Sequence, residues 1–164
     1  MTRQVQRALF KLACVALVLC LAACSRTDTK DIQAFLDKIS HGPEAELGTL
    51  IYGYIDASPG AKEVLLGMVR PLRAPSADKH MTIEASRSAG RFTMVSVRVP
   101  WPQPTQGYGF QASFQPIIIC HEAGRDSVVG YVLPFNDIMS HFQGSDMENI
   151  MQLSQWWIQT YCKR

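Results

Sequence analysis

Several signatures are missing from the 164-residue chain, and each absence removes a class of function. No apolar run reaches the roughly 18 residues of a bilayer-spanning helix; the longest, Leu12 to Ala23, is too short. Neither G-x-G-x-x-G nor G-x-x-x-x-G-K-[ST] occurs, so nothing local cradles a nucleotide phosphate. Ser58, Ser86, Ser88, Ser113 and Ser127 all lie outside G-x-S-x-G, and a serine with no identifiable base is only a hydroxyl. His41, His80, His121 and His141 form neither H-E-x-x-H nor H-x-H, and no C-x-x-C is present, so no metal is expected. His121, Glu122 and Asp126 are the nearest acid–base collection, in a short turn where solvated polar groups are the ordinary outcome. The formal net charge is only +2, and no concentrated basic face offers itself to nucleic acid.

The beginning of the chain is more specific. Arg3, Arg7 and Lys11 precede the apolar run, which ends in Leu21-Ala22-Ala23-Cys24 and gives way to the polar Ser25-Arg26-Thr27-Asp28-Thr29-Lys30. This is the three-part layout of an export signal, and it resembles the bacterial lipoprotein signal. The resemblance covers the first two dozen residues only. It implies that residues 1–23 are removed and that Cys24 is acylated as the first residue of the mature chain. Diacylglyceryl and N-acyl chains bury several dozen CH₂ groups at about 0.8 kcal/mol each, which holds a protein on its membrane. By resemblance to Gram-negative lipoproteins, Ser25 implies sorting to the outer membrane, on its periplasmic face, because inner-membrane retention favours Asp there. With Arg3, Arg7 and Lys11 gone, the basic residues no longer outnumber the 14 acidic ones.

The same processing sorts the 5 cysteines. Cys14 and Cys20 leave with the signal and Cys24 takes lipid, so Cys120 and Cys162 remain in an oxidising compartment. A disulfide is expected between them, tying the last helix to the sheet; two free thiols, or a metal pair with histidine, are the alternatives. Its loop of about 43 residues would contribute roughly 2–4 kcal/mol.

Beyond a tether over residues 24–30, residues 31–164 read as a single α+β domain. Ile32, Phe35, Leu36 and Ile39 make one helical stripe, and Gly42-Pro43 stops it. Pro43 opens a second helix carrying Leu47, Leu50, Ile51, Tyr54 and Ile55, weakened by Gly48 and Gly53 unless these allow close packing. A short third helix covers Ala61 to Val69. Strands follow over Met81 to Ser86, Arg91 to Val99, Tyr108 to His121 (with a break at Pro116) and Ser127 to Pro134, connected as an antiparallel meander of about four strands. In the second strand Thr93, Val95, Val97 and Val99 are the side expected to be buried. Asn136 to Phe142 reads as a short helix or turn. Ser145 and Glu148 make a capping-box pattern before a final helix bearing Met147, Ile150, Met151, Trp157, Ile158 and Tyr161. One layer of helices on one sheet is the economical arrangement. A curved sheet of this kind is similar to cystatin-like or nuclear-transport-factor-like cones, a likeness that carries no function.

Two surface features stand out. Trp101, Tyr108 and Phe110 bracket a loop with two prolines, and aromatics on a stiff loop anchor protein interfaces. Arg87, Arg91 and Arg98 could line one sheet face and meet an acidic partner. The Trp156-Trp157 pair is a weaker candidate. The expectation is a periplasmic accessory protein, not an enzyme, with no cofactor beyond the lipid on Cys24 and no catalytic residues. Its partner would be another envelope or cell-wall-associated protein, as for an inhibitor, an immunity protein or a subunit of an envelope complex. The alternative is a small-ligand binder or degenerate enzyme of cone-like fold, with a pocket between sheet and helices.

Overall fold

Helix α1 spans Thr29–His41, as the periodicity requires, with Asp31 in its first turn and Lys38 and His41 in its last, where the helix dipole favours each sign. The computed structural model describes residues 29–101, 114–122, 124–130 and 142–161. The chain divides between Ile32 and Gln33 into two compact units. Of the first unit only Thr29–Ile32 is described, the opening turn of α1; everything below belongs to the second. No described helix is long and apolar enough to cross a membrane.

Phe35, Leu36 and Ile39 are buried, and the Gly42 amide closes α1 by donating to Lys38 O at 2.9 Å. Pro43 opens α2, but this helix lasts only from Glu44–Leu47 before a 3₁₀ turn over Gly48–Leu50. The long second helix expected through Ile55 is therefore absent. Gly48 gives the reason: a Cβ there would lie 2.2 Å from Cε1 of Tyr54, so the chain folds back on itself where only glycine leaves room. Helix α3 spans Pro59–Val69; Ser58 caps it by accepting from the Ala61 amide, and Pro71 falls in the 3₁₀ turn Arg70–Leu72 that ends it.

The sheet is an antiparallel meander in the order β1-β2-β3-β4. Its strands are β1 Thr82–Ala89, β2 Phe92–Arg98, β3 Gln115–Glu122 and β4 Arg125–Gly130. Pro116 lies in a central strand, against the expectation that proline-bearing strands sit at an edge. It causes no break, because among the described residues β4 pairs with β3 from Ile118 onward and Pro116 has Ser96 as its one strand neighbour. The part of the third strand expected from Tyr108, the end of the fourth and the short helix from Asn136 fall largely on residues outside those described.

The hairpin joining β1 and β2 turns on Gly90 and Arg91, since Ala89 pairs with Phe92. Gly90 has φ +55, and a Cβ on it would meet Asn149 Nδ2 at 2.3 Å. Gly90→Ala is expected to lower stability by about 1–2 kcal/mol from the left-handed backbone alone, with Asn149 displaced as well. A urea midpoint unchanged from wild type would show that this turn is not formed.

Helix α4, Ser145–Tyr161, packs on one face of the sheet. Phe92 and Met94 of β2 and Ile118 and Cys120 of β3 form a core there with Val129, Phe142, Ile150, Leu153 and Trp157. Ser145 is the first residue of the helix rather than its cap, which corrects the capping-box reading. The opposite face is covered too: Thr93, Val95, Val97, Ile117 and Ile119 are all buried. The expectations of one buried side on β2 and of a single helical layer are thus both replaced by a sheet buried on two sides. The segment after α2 reaches β4, where Ile51 bridges Val128 and the Tyr52 amide donates to Val128 O at 2.9 Å.

The expected disulfide is not present: Cys120 is a buried free thiol. Cys162 lies outside the described residues, but its neighbour Tyr161 packs on Phe114 with ring centroids 5.3 Å apart. Six residues of extended strand, about 20 Å, separate Phe114 from Cys120. A disulfide needs Cα atoms within about 7 Å. The last helix is held on the sheet by its apolar side, not by sulfur.

Candidate functional site

The hairpin turns at one end of the sheet bring polar side chains from all four strands into a row. Ser88 is paired with Thr93 across β1 and β2, and His121 with Asp126 across β3 and β4. The side chains join them: Ser88 Oγ to Thr93 Oγ1 at 2.9 Å, Thr93 Oγ1 to His121 Nε2 at 2.9 Å, and His121 Nδ1 to Asp126 Oδ1 at 2.8 Å. One consistent assignment has Ser88 donating to Thr93, Thr93 to His121, and His121 to the Asp126 carboxylate.

A carboxylate that orients an imidazole, which in turn engages a hydroxyl, is the arrangement that activates nucleophiles. Here the hydroxyl belongs to Thr93, which is 1% exposed, so no substrate reaches it. What the row does is satisfy a buried polar side chain and tie four strands together. The sequence placed His121, Glu122 and Asp126 in one turn; Ser88 and Thr93 join them only through register.

Beside the row, the His121 amide donates to Arg91 O at 2.8 Å. The Arg91 guanidinium donates to Asp146 Oδ2 at 2.6 Å and 3.1 Å and forms a second ion pair with Glu122. Its hydrogen bonds to Asp146 hold its pKa above the ordinary arginine value.

These contacts redistribute the residues expected to bind a partner. Arg91 is committed to Asp146 and Glu122, so it is a tie between β3 and α4 rather than a free cation. Arg98 donates to Glu84 Oε1 at 3.0 Å and lies over the Phe114 ring. Arg87 lies over the half-buried Trp156, 6.0 Å from its ring centroid. Trp101 is buried, and its indole N–H donates to Pro71 O at 3.0 Å. It is therefore a core residue, not the exposed anchor expected of it. Trp157 is buried as well, with its N–H 3.4 Å from Ser96 Oγ. Tyr108 and Phe110 lie outside the described residues. Of the named candidates within them, Arg87 with Trp156 is the pairing left at the surface.

No protein-family model matches the chain, and comparisons with curated proteins and with solved structures find no match.

A second cluster joins α1 to the start of β1. Asp37 and His41 sit four residues apart on α1 and so share a face; the segment leading into β1 brings His80 against them. One possible ligand atom from each of the three lies within 4.8 Å of the others. His80 Nδ1 is 3.7 Å from Asp37 Oδ1, and the His41 and His80 rings are 4.9 Å apart. Gln33 fixes the frame, its Nε2 donating to Asp37 Oδ1 at 3.2 Å and to Met81 O at 3.1 Å. The D-x-x-x-H spacing on a helix was legible; the distant His80 was not.

Proposed function

We propose that this protein is a lipid-anchored, non-enzymatic accessory protein of the bacterial envelope, held by acylated Cys24 and acting by binding another envelope protein. Its address is the periplasmic face of the outer membrane, and the lipid is its only covalent group. The lipoprotein-like stretch Leu21-Ala22-Ala23-Cys24 supports the anchor. Helix α1 begins at Thr29, five residues beyond Cys24, and an extended chain covers at most about 18 Å over that distance. The start of the helix would then lie close to the membrane surface, and a partner would be met there.

The observation that carries the binding reading is the inequality of the two sheet edges. β4 is covered by Ile51 and Tyr52. β1, at the other edge, pairs with no strand on its outer side among the described residues, and most of its side chains are exposed. An open edge accepts an extended segment of another chain. The bulge at Ile83 and Ala85 interrupts the first half of β1, as edges that avoid self-association do, and leaves the run Ser86 to Ala89 for pairing. Arg87 lies in that run and over the ring of Trp156, and both are residue types that anchor interfaces.

Two measurements test the reading. Mass spectrometry of the native protein should show a chain beginning at acylated Cys24, and Cys24→Ala should leave the membrane fraction almost completely; an intact Met1-to-Lys11 segment would overturn the anchor. Affinity capture from detergent-solubilised envelopes should recover a second envelope protein, with recovery lowered by Arg87→Glu. Recovery of this chain alone would overturn the binding role.

A further inference from the structure

We propose that Asp37, His41 and His80 form a binding site for a divalent cation of the zinc class. Hydrogen bonds around Ser40 bear on which nitrogen of His41 is free. Ser40 Oγ lies 3.0 Å from Leu36 O and 3.3 Å from Asp37 O. Both are carbonyls and accept only, so the single hydroxyl hydrogen of Ser40 is spent on the helix backbone. Ser40 Oγ also lies 2.8 Å from His41 Nδ1, and toward that nitrogen it has only a lone pair to offer. The assignment consistent with both carbonyl contacts has His41 carrying its hydrogen on Nδ1, which leaves Nε2 as a lone-pair donor.

That atom is the one buried side-chain nitrogen or oxygen among the described residues with no hydrogen-bond partner. An unpaired buried acceptor is disfavoured by about 1–3 kcal/mol, and such atoms call for an explanation. A metal ion supplies one. The ligating nitrogen of a metal-bound histidine is unprotonated, and the other ring nitrogen donates to a fixed acceptor that sets the tautomer. Ser40 fills that second role for His41, and Gln33, which donates to Asp37 Oδ1, fills the corresponding role for the carboxylate.

Two imidazoles and one carboxylate suit zinc and its first-row neighbours, and three protein ligands leave a fourth position open. Tetrahedral ligands at zinc distances stand about 3.4 Å apart. The His80–Asp37 separation of 3.7 Å is already near that value. His80 has 58% of its side chain exposed and has room to swing toward His41.

The test uses the full-length protein in detergent, stripped with EDTA and titrated with Zn²⁺ by calorimetry, with Co²⁺ as a spectroscopic reporter. One saturable site per chain is expected, with a visible Co²⁺ absorption band of the intensity given by four-coordinate nitrogen and oxygen ligands. His80→Ala and Asp37→Asn should each weaken Zn²⁺ binding at least tenfold, and Val64→Ala, at an exposed position outside the cluster, should leave it unchanged. Zn²⁺ should raise the melting temperature of the wild type and not of His80→Ala, which separates lost binding from lost folding. Absence of a saturable site, or a site that survives both His80→Ala and Asp37→Asn, would overturn the proposal.

Discussion

Replacing Phe92 by alanine is expected to lower the unfolding free energy by about 3–5 kcal/mol. Phe92 is fully buried at the point where the β1–β2 hairpin meets α4. Its ring packs edge-on to Phe142, with centroids 5.3 Å apart and planes at 84°, a preferred aromatic geometry. The Arg91 guanidinium lies 5.3 Å from its centroid on the outer side. Cys120, Ile150, Leu153 and Trp157 belong to the same core, and they come from a strand and a helix whose backbones are fixed by hydrogen bonds. Such a site cannot collapse around the deleted ring, so a cavity term adds to the lost burial. Against a total of about 5–15 kcal/mol for an ordinary domain, this is a large fraction. Urea unfolding would show it as a lowered midpoint with little change in slope. Val64→Ala, at a position 60% exposed, should stay within about 0.5 kcal/mol of wild type. If the two variants behaved alike, Phe92 would not be at the centre of this core.

The elements that could be read from the sequence are those decided locally. The stripe of α1, its stop at Gly42-Pro43 and the glycines of the two hairpins act within a few residues, and each appears where its chemistry put it; α3 begins at Pro59, ahead of the expected Ala61, because Ser58 caps it. What failed was decided elsewhere in the chain. Alternation in β2 assigned Ser96 to the solvent side, yet Ser96 is buried because Trp157, from the last helix, brings an N–H to its hydroxyl. Thr93 is buried, as the alternation required, but the groups that satisfy its hydroxyl, Ser88 and His121, come from two other strands. Trp101 looked like a surface anchor because its neighbours are prolines, but the carbonyl that accepts its N–H belongs to Pro71. The disulfide was inferred by counting cysteines, and counting cannot reveal that Cys120 and the end of α4 lie at opposite ends of a strand. The candidate cation site divides the same way: Asp37 and His41 follow from helical spacing, while His80 depends on how the connector crosses α1.

Cys120 should be nearly inert toward thiol reagents in the folded protein at pH 8 and fully reactive once unfolded. Burial pushes its thiol up to about 11 from an ordinary 9.0, and the Arg91 charge, which opposes that rise, does not overcome it. The reason lies in the contacts of Arg91, whose charge is already met by Asp146 and Glu122; those two carboxylates also disfavour a thiolate. At pH 8 a thiol with an ordinary pKa is roughly one-tenth or more thiolate, and one near 11 about a thousandth. Labelling should therefore slow by about a hundredfold from ionisation alone, and further because the sulfur is out of reach. The effect on stability has a definite sign. Between pH 9 and 11 the folded state keeps a proton that the unfolded chain gives up, so the stabilisation is complete below about pH 9 and is lost as pH rises through 11. Iodoacetamide labelling followed by peptide mass spectrometry, with and without urea and with no reductant, checks both points. Equal rates in the two conditions would mean that Cys120 is not in the core. A Cys120 that stayed unlabelled in urea until reductant was added would mean that its thiol is oxidised, and the geometry separating it from the end of α4 would be wrong.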